Sequence, residues 1–279
     1  MPLSAHIVNR IIDAALAEDL GRDGDITSNA VIPEDARLDL VMAAREDIVV
    51  CGLDIAAEVF RRLAPQARIK CEIPDGTPVV AGTALMRLEG PARGLLAAER
   101  TALNLVQHLS GIATLTRTYV EAIEGTGAVL LDTRKTVPGL RDLAKYAARM
   151  GGAANHRMRL DDGVLIKDNH IAVAGGAGAA MRRAVKAGLT HIEVECDTVE
   201  QVTQALDAGA GRVLLDNMDL AALRRAVAVN AGRAKLEASG GVNLKNIRAI
   251  ADTGVDFISV GRITQSAPAV DIGLDLEGE

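Results

Sequence analysis

Residues 191–239 decide the fold of this chain, and they read HIEVECDTVEQVTQALDAGAGRVLLDNMDLAALRRAVAVNAGRAKLEAS. Three apolar runs, HIEVEC, RVLLDN and KLEAS, alternate there with helical patterns, and a fourth run, FISVG, follows. The runs begin at residues 191, 212, 235 and 257, so they are 21, 23 and 22 residues apart. Because buried parallel strands are apolar throughout and each needs a crossover helix, this spacing predicts βα units of a parallel barrel.

Two earlier runs, AVLLDT and GVLIKD, extend the pattern toward the amino terminus and bring the number of predicted strands to six. A complete eightfold barrel takes about 250 residues, more than this part of the chain provides. The sequence therefore predicts an incomplete α/β barrel, which we assign to residues 113–267.

The amino-terminal part has a different pattern. The segments LDLVMAAREDIVVCG, RIKCEI and ALMRLEG are separated by Pro, Asp and Gly turns, which favours antiparallel strands. We expect a separate α+β sandwich domain over residues 1–112, joined by the C-terminal segment 268–279. A long helix is predicted over residues 93–124, with Gly111 as a candidate break. The first 20 residues predict an amphipathic helix with these residues on one side: Ile7, Ile11, Ile12, Ala15 and Leu16.

Composition excludes several classes of protein. The 279 residues carry a formal net charge of -6 and include no Trp, two Tyr and two Phe, so a nucleic-acid partner is not expected. Cys51, Cys71 and Cys196 lie far apart and suggest neither a disulfide framework nor a zinc site, which fits a cytoplasmic protein. No segment reaches the roughly 20 uninterrupted apolar residues needed to cross a membrane.

Polar residues fall where the predicted strands end, and in parallel barrels the carboxyl ends face the active site. Residues 132–170 hold a cluster of cations that suits several carboxylates or phosphates: Arg134, Lys135, His156, Arg157, Arg159, Lys167 and His170. Lys167 would be costly to bury unpaired, and the neighbouring Asp168 offers a purely structural partner.

Later strands end in acidic residues and glycines. Glu195 and Asp216 suit recognition of hydroxyl groups or of a hard cation such as Mg²⁺, completed by substrate oxygens and water. Ser239, Gly240 and Gly241, with a helix predicted to start near Asn243, are typical of a phosphate-binding turn. Gly261 follows the next strand, where barrels commonly bind phosphate.

Several long segments together resemble the quinolinate phosphoribosyltransferase family. They span nearly the whole chain and read EDLGRDGDITS, ERTALNLVQHLSGIAT, LDTRKTVPGLRDLAKYA, NHRMRLDDGVLIKDNHI, IEVEC, LLDNM, EASGGV and ISVGRITQSAPAVDIGLD. The resemblance implies an α/β amino-terminal domain with an open-faced barrel. It also implies phosphoribosyl transfer from phosphoribosyl pyrophosphate to quinolinate with decarboxylation, which gives nicotinate mononucleotide for NAD biosynthesis.

The resemblance also implies roles for particular residues. Arg134, Arg157 and Lys167 would hold the two carboxylates of quinolinate, with Thr133 and His156 lining the same pocket. Lys135 would lie near the donor phosphates, Glu195 and Asp216 would hold the ribose hydroxyls and Mg²⁺, and the four residues Ser239, Gly240, Gly241 and Gly261 would bind phosphate. The catalytic set implied is Lys135, Lys167, Glu195 and Asp216.

A homodimer is implied as well, because Arg100 matches a family arginine that reaches the neighbouring subunit's site.

Two positions depart from the family pattern. Gln265 stands where the family often has His or Lys, so its contact with phosphate would carry no charge. Arg159 stands where a small residue is frequent, and the sequence suggests no role for it.

Three other functions are compatible with parts of the pattern. A paralogous phosphoribosyltransferase of molybdate-uptake operons looks similar, but the complete segment HRMRLDDGVLIKDNHI favours the quinolinate enzyme. A barrel aldolase would use Lys135 or Lys167 as a Schiff base. A non-catalytic phosphosugar-binding barrel would bind without turnover, which the many converging acids and bases disfavour.

Overall fold

The computed structural model describes residues 3–277 of the chain. The strands in this part are, in chain order, Arg37–Ala44 (β1), Ile48–Val49 (β2), Arg68–Cys71 (β3), Pro78–Val79 (β4), Ala84–Pro91 (β5), Val129–Leu131 (β6), Val164–Ile166 (β7), Ile192–Cys196 (β8), Arg212–Asp216 (β9), Lys235–Ser239 (β10), Phe257–Ser259 (β11) and Ile272–Leu276 (β12). The helices are Ala5–Leu20 (α1), Ile26–Val31 (α2), Leu53–Leu63 (α3), Ala92–Ala122 (α4), Arg141–Met150 (α5), Asp168–Ala174 (α6), Ala177–Lys186 (α7), Val199–Asp207 (α8), Leu220–Asn230 (α9), Ile247–Ala251 (α10) and Arg262–Gln265 (α11).

The chain divides into two compact units. The first contains the residues up to 117, residues 137–152 and the residues from 263 onward, and the second contains residues 118–136 and 153–262. The domain boundary expected between residues 112 and 113 falls inside α4, and it stays a prediction.

The first unit is built on an antiparallel sheet with strand order β12-β1-β5-β3, as the turn-bounded strands predicted. On β1 the buried residues Leu40, Met42 and Ala44 alternate with more exposed ones, which is the pattern of a strand with one covered face. Strand β12 pairs with β1, with Leu274 opposite Met42. The last strand of the chain therefore completes the edge of this sheet.

Helices α1 and α4 belong to the predicted helical regions, and one expectation about them is wrong. Gly111 does not break α4, which continues through it. A Cβ atom at Gly111 would lie 2.0 Å from the carbonyl oxygen of Pro268, so this position needs glycine for a close backbone contact. Since one glycine costs a helix only about 1 kcal/mol, the burial of residues such as Leu109 and Ile112 is enough to keep the helix continuous. On α1, Ile11 and Ile12 are buried as the amphipathic pattern predicted.

The second unit is an incomplete barrel, as the strand spacing predicted. Its six strands form one parallel sheet in the order β6-β11-β10-β9-β8-β7. In the described part of the chain β6 and β7 do not pair with each other, so the sheet is open between its first two strands. Instead, Ala154 makes a single parallel bridge to Leu131 of β6. The chain that leads to His156 and Arg157 therefore lies beside β6 in the gap.

Local sequence signals begin the crossover helices of this unit. The side chain of Thr198 accepts a hydrogen bond from Gln201 N–H at the start of α8, and Asp219 caps α9 through Ala222 N–H. Between residues 3 and 277, no helix is both long enough and apolar enough to span a membrane.

Candidate functional site

The predicted site residues of the second unit lie at or just beyond the carboxyl ends of the barrel strands, except for His156 and Arg157, which lie in the gap beside β6. Strand register brings some of them together directly, because Ser239 of β10 is opposite Asp216 of β9. The remaining strand-end residues are Thr133, Arg134 and Lys135 after β6, Lys167 after β7, Glu195 on β8, Gly240 and Gly241 after β10, and Gly261 after β11. Arg100 lies in the first unit, exposed on α4.

The end of β6 organises the segment that carries the predicted quinolinate-binding residues. Asp132 is completely buried, and its carboxylate accepts hydrogen bonds from His156 N–H at 2.8 Å and from the Asn155 side chain. A buried carboxylate with these partners fixes the backbone of residues 155 and 156 against the strand. Asp132 therefore has a structural task at this end of the barrel.

Arg134 and Arg157 are neighbouring arginines at the predicted quinolinate-binding site. The Nε atom of Arg134 is buried, and no atom of residues 3–277 accepts a hydrogen bond from it. Arg157 donates from Nη1 to the carbonyl oxygen of Gly163 at 2.9 Å. Burial lowers the pKa of Arg157, and the positive charge of Arg134 lowers it further. Two neighbouring guanidinium groups, one of them with an unused buried donor, suit a dianionic ligand.

Lys167 pairs with a carboxylate of the next strand. Its Nζ lies 3.0 Å from Glu195 Oε2, and the Lys167 side chain is 48% exposed whereas that of Glu195 is 8% exposed. Asp168, considered from the sequence as a structural partner, is instead exposed, begins α6 and accepts from Asn169 N–H. His170 Nδ1 accepts from Lys167 N–H, so this histidine caps the helix.

The acidic residues suit a hard cation. Burial raises the pKa of Asp216, and the nearby carboxylates of Glu195 and Asp197 raise it further, while Lys167 lowers it. A divalent cation would relieve this repulsion and would find the oxygen ligands that Mg²⁺ prefers. The donor set therefore fits the predicted metal, and its assignment as a Mg²⁺ site stays a prediction.

The glycines after β10 allow a close backbone turn. Gly240 and Gly241 have φ angles of +89° and +62°, and a Cβ at Gly240 would lie 2.2 Å from Asn217 Oδ1. The helix expected near Asn243 was placed wrongly, because α10 begins at Ile247 and has only five residues.

Asparagine side chains are the reason for the later helix start. Asn246 Oδ1 accepts from Asn243 N–H, and the side-chain amides of both asparagines donate to the carbonyl oxygen of Gly241. These bonds close the segment as a turn, so a phosphate here would meet main-chain amides of a loop and not a long helix. One strand further, a Cβ at Gly261 would approach Lys135 Cδ to 2.8 Å, so glycine makes room for this lysine.

A buried ionic layer lies below the strand ends, and it was not predicted. Arg212 donates from Nε to Glu193 Oε1 at 2.8 Å and from Nη2 to Glu237 Oε2. His156 Nε2 lies 2.9 Å from Glu193 Oε2 and 3.6 Å from Glu237 Oε2. Burial and the charge of Glu193 raise the pKa of Glu237 to about 7. Burial alone would raise the pKa of Glu193, but the hydrogen bond from His156 and the charge of Arg212 lower it overall.

Side chains two residues apart on a β-strand lie on the same face, and this sequence signal could have predicted the buried layer. Glu193 precedes Glu195 by two residues and Glu237 precedes Ser239 by two, so each lies on the same strand face as a predicted site residue.

A cavity of about 620 Å³ opens at the opposite, amino-terminal ends of the strands, lined among others by Val164, Ile192, Gly211 and Lys235. Lys235, one of its lining cations, contacts Asp256 at 2.6 Å. The predicted substrate-binding residues His156 and Arg157 also line this cavity, whereas the other predicted site residues of the second unit lie at the carboxyl ends of the strands.

Two protein-family models cover most of the chain. Residues 25–110 match the quinolinate phosphoribosyl transferase N-terminal domain, and residues 112–275 match the C-terminal domain of the same family.

Individual proteins resemble the chain over almost its full length. It is 44% identical over 272 residues, 95% of each sequence, to the nicotinate-nucleotide pyrophosphorylase (carboxylating) of Mycobacterium leprae (strain TN). It is 39% identical to the quinolinate phosphoribosyltransferase (decarboxylating) 2b, mitochondrial, of Nicotiana tabacum, over 98% of this chain and 83% of that protein. The solved structure of the nicotinate-nucleotide pyrophosphorylase from Francisella tularensis superposes with a TM-score of 0.95 at 41% identity and covers 99% of this chain and 98% of that one.

Proposed function

This chain belongs to the quinolinate phosphoribosyltransferase family, and we propose that the barrel site transfers the phosphoribosyl group of phosphoribosyl pyrophosphate to quinolinate and releases CO₂. The names of its relatives describe the two directions of this reaction, since one set is called decarboxylating transferases and the other carboxylating pyrophosphorylases. The product is nicotinate mononucleotide, which places the enzyme in de novo NAD biosynthesis.

The pair of Arg134 and Arg157 is the observation that carries the proposal for the acceptor. Quinolinate has two adjacent carboxylates, and the buried Nε of Arg134 has no acceptor within residues 3–277. Each charge-assisted hydrogen bond contributes about 1.5–3 kcal/mol. Burial lowers the pKa of Arg157 and the charge of Arg134 lowers it further, and a dianion would remove this repulsion. Lys167 would bind a carboxylate by exchanging its contact with Glu195 for one with the substrate.

The acidic and glycine-rich strand ends support binding of the donor. Glu195 and Asp216 would hold Mg²⁺ and the ribose hydroxyls, and Mg²⁺ would neutralise charge on the pyrophosphate leaving group. Ser239, Gly240 and Gly241 would hold a phosphate through main-chain N–H groups, and Lys135 would lie near the donor phosphates.

In the first chemical step, the lone pair of the pyridine nitrogen forms the N–C1 bond while the bond from C1 to the pyrophosphate oxygen breaks. Positive charge develops at C1, and the carboxylates of Glu195 and Asp216 favour it electrostatically. Arginine contacts hold the nitrogen toward C1, and positioning of this kind contributes about 7–11 kcal/mol.

Decarboxylation then breaks the bond between C2 and its carboxylate. The electron pair stays at C2 beside the cationic nitrogen, and a proton replaces CO₂. Lys167 is the nearest candidate to assist this second step, and no electron-sink cofactor is required because the pyridinium itself supplies the stabilisation.

A homodimer is part of the proposal. Arg100 is exposed on α4 and would complete the site of the partner subunit.

The three free cysteines fit a reducing, cytoplasmic setting. Quinolinate and the phosphoribosyl donor would be the small-molecule partners. Gln265, exposed at the end of α11, would contact phosphate without a charge. Arg159 is exposed, donates its N–H to Asp162 and is given no role.

Product analysis tests the proposal. Purified protein incubated with quinolinate, the phosphoribosyl donor and Mg²⁺ should yield nicotinate mononucleotide, pyrophosphate and CO₂ in equal amounts, measured by HPLC and release of labelled CO₂. The absence of all three products from folded protein would reject the proposal. Turnover of another acceptor in a substrate panel would indicate the molybdate-operon paralogue, and a borohydride-trapped adduct would indicate an aldolase.

A further inference from the structure

We propose that Glu193 and Arg212 are positioning residues that orient Arg157 through the imidazole of His156. The inference rests on the proposed function, in which Arg157 binds a carboxylate of quinolinate. It gives His156 a task other than contact with the substrate.

The imidazole of His156 has a protein partner at each nitrogen. Nδ1 accepts the main-chain N–H of Arg157 at 2.8 Å, so its lone pair is occupied and the ring proton lies on Nε2. Nε2 is directed at Glu193 Oε2, 2.9 Å away, and the side chain of His156 is only 13% exposed. With both nitrogens engaged, the ring joins the buried layer to the backbone of Arg157.

Arg212 keeps the carboxylate of Glu193 in place. Its planar guanidinium contacts Glu193 through Nε and Glu237 through Nη2, and it stacks 4.4 Å from the centre of the Phe257 ring. Glu193 thereby uses one oxygen for Arg212 and the other for His156. Because the planar guanidinium of Arg212 on β9 is held between carboxylates on β8 and β10, the carboxylate of Glu193 has little freedom to rotate.

The backbone at His156 and Arg157 is therefore held on two sides. The N–H of His156 donates to Asp132 at 2.8 Å, and the N–H of Arg157 donates to the oriented ring. Gly163 O then accepts from the Arg157 guanidinium at 2.9 Å. Rotation of the His156 ring would release the Arg157 N–H and shift the start of its side chain, and supporting contacts of this kind set the precision of a binding site.

A metal ion is the competing occupant of this layer. One ligand atom from each of His156, Glu193 and Glu237 lies within 4.8 Å of the others. The guanidinium of Arg212 already contacts both carboxylates and supplies the positive charge that a cation would bring. A metal would also have to displace the proton on His156 Nε2, so the positioning role is favoured.

Two isosteric variants test the inference by steady-state kinetics. Glu193→Gln and Glu237→Gln each remove one buried carboxylate charge beside Arg212, but only Glu193 lies within hydrogen-bonding distance of His156. We expect Glu193→Gln to raise KM for quinolinate by about tenfold with KM for the phosphoribosyl donor unchanged. Glu237→Gln should leave both KM values close to those of the wild type. Equal effects of the two variants, or equal changes in both KM values, would show that the layer only stabilises the fold and would overturn the inference.

A measurement on the wild type keeps the test independent of variant folding. Nitrogen-15 NMR of the histidine rings, with His156 assigned from a His156→Gln variant, should show the neutral Nε2–H tautomer both without and with saturating quinolinate. An Nδ1–H tautomer, or a change of tautomer on adding quinolinate, would mean that the ring contacts the substrate and would overturn the inference.

The metal content of the wild type is a further check. One equivalent of metal, found by elemental analysis and lost in Glu237→Gln, would also overturn the inference. If the wild type turns over no quinolinate, the proposed function fails, while the tautomer of the ligand-free protein still decides whether the ring is held as inferred.

Discussion

The ammonium nitrogen of Lys167 lies 3.0 Å from Glu195 Oε2, and this ion pair links the carboxyl ends of two neighbouring barrel strands. Glu195 is buried while Lys167 is half exposed. The lysine is therefore accessible to a substrate carboxylate, but its departure takes a partner from the buried Glu195 carboxylate, at a cost of about 1–3 kcal/mol.

Substitution of this lysine should separate activity from stability. We expect Lys167→Met to lower kcat/KM for quinolinate by roughly 100-fold and to lower the free energy of unfolding by about 1–3 kcal/mol, because the buried Glu195 carboxylate loses a partner. Urea denaturation and steady-state kinetics measure the two effects. Lys186→Met, at the end of α7, is the matched control and should change neither. A loss of stability that accounts for the whole loss of activity would contradict this prediction.

Arg134→Ala should abolish most of the activity and leave the fold intact. The buried Nε of Arg134 has no acceptor within residues 3–277, so the variant loses no hydrogen bond at this atom. We expect kcat/KM to fall by about 100-fold or more, equivalent to the loss of one bidentate contact, with an unchanged thermal midpoint. Arg68→Ala, whose side chain is 85% exposed in the first unit, serves as the control. An unfolded Arg134→Ala protein would instead indicate a structural role.

Asp216 should make the stability of the protein depend on pH. Burial raises its pKa above the ordinary 3.8, so the folded protein holds this proton more tightly than the unfolded chain. Stability is therefore lost as pH rises from about 3.8 through the raised pKa. Asp216→Asn should remove that loss, so its advantage in thermal midpoint over the wild type should grow with pH in this window. Asp207→Asn, 65% exposed, should show no such trend.

Mg²⁺ should act on the same carboxylate. Added Mg²⁺ should raise the thermal midpoint of the wild type at neutral pH, because binding to the folded state is stabilising, and should have no effect on Asp216→Asn. Chelation should abolish turnover and Mg²⁺ should restore it. Equal stabilisation of wild type and variant would place the cation elsewhere.

Gly240→Ala should be more damaging than Gly241→Ala. Both positions have positive φ, which costs a residue other than glycine about 1–2 kcal/mol. Only at Gly240 would the new Cβ also collide with Asn217, whereas at Gly241 no atom of residues 3–277, apart from the glycine and its two chain neighbours, lies within 4 Å of that position. We expect a larger loss of unfolding free energy and a higher KM for the phosphoribosyl donor in Gly240→Ala. Identical behaviour of the two variants would contradict the close contact with Asn217.

Arg100 should complement sites across a dimer. Arg100→Ala and Arg134→Ala proteins should each be nearly inactive, but an equal mixture after subunit exchange should recover about a quarter of wild-type activity. Half of the dimers are then mixed, and each mixed dimer has one intact site. Turnover of the mixture, compared with either variant alone, measures this. No recovery after exchange, verified by mass spectrometry, would mean that Arg100 does not serve a neighbouring subunit.

The sequence by itself determined the parallel strands and the residues at their ends. Its apolar runs at spacings of 21–23 residues correspond to β8, β9, β10 and β11, and Glu195, Asp216 and Ser239 lie where the runs predicted, because strand periodicity and crossover length are local properties of a chain. Only the tertiary structure decided which groups meet. It paired Lys167 with Glu195 and not with Asp168, kept α4 continuous through Gly111, and brought His156 to Glu193 and Glu237. These contacts join residues from different strands and loops, and their partners depend on register and on the open edge between β6 and β7, which no local pattern in the sequence specifies.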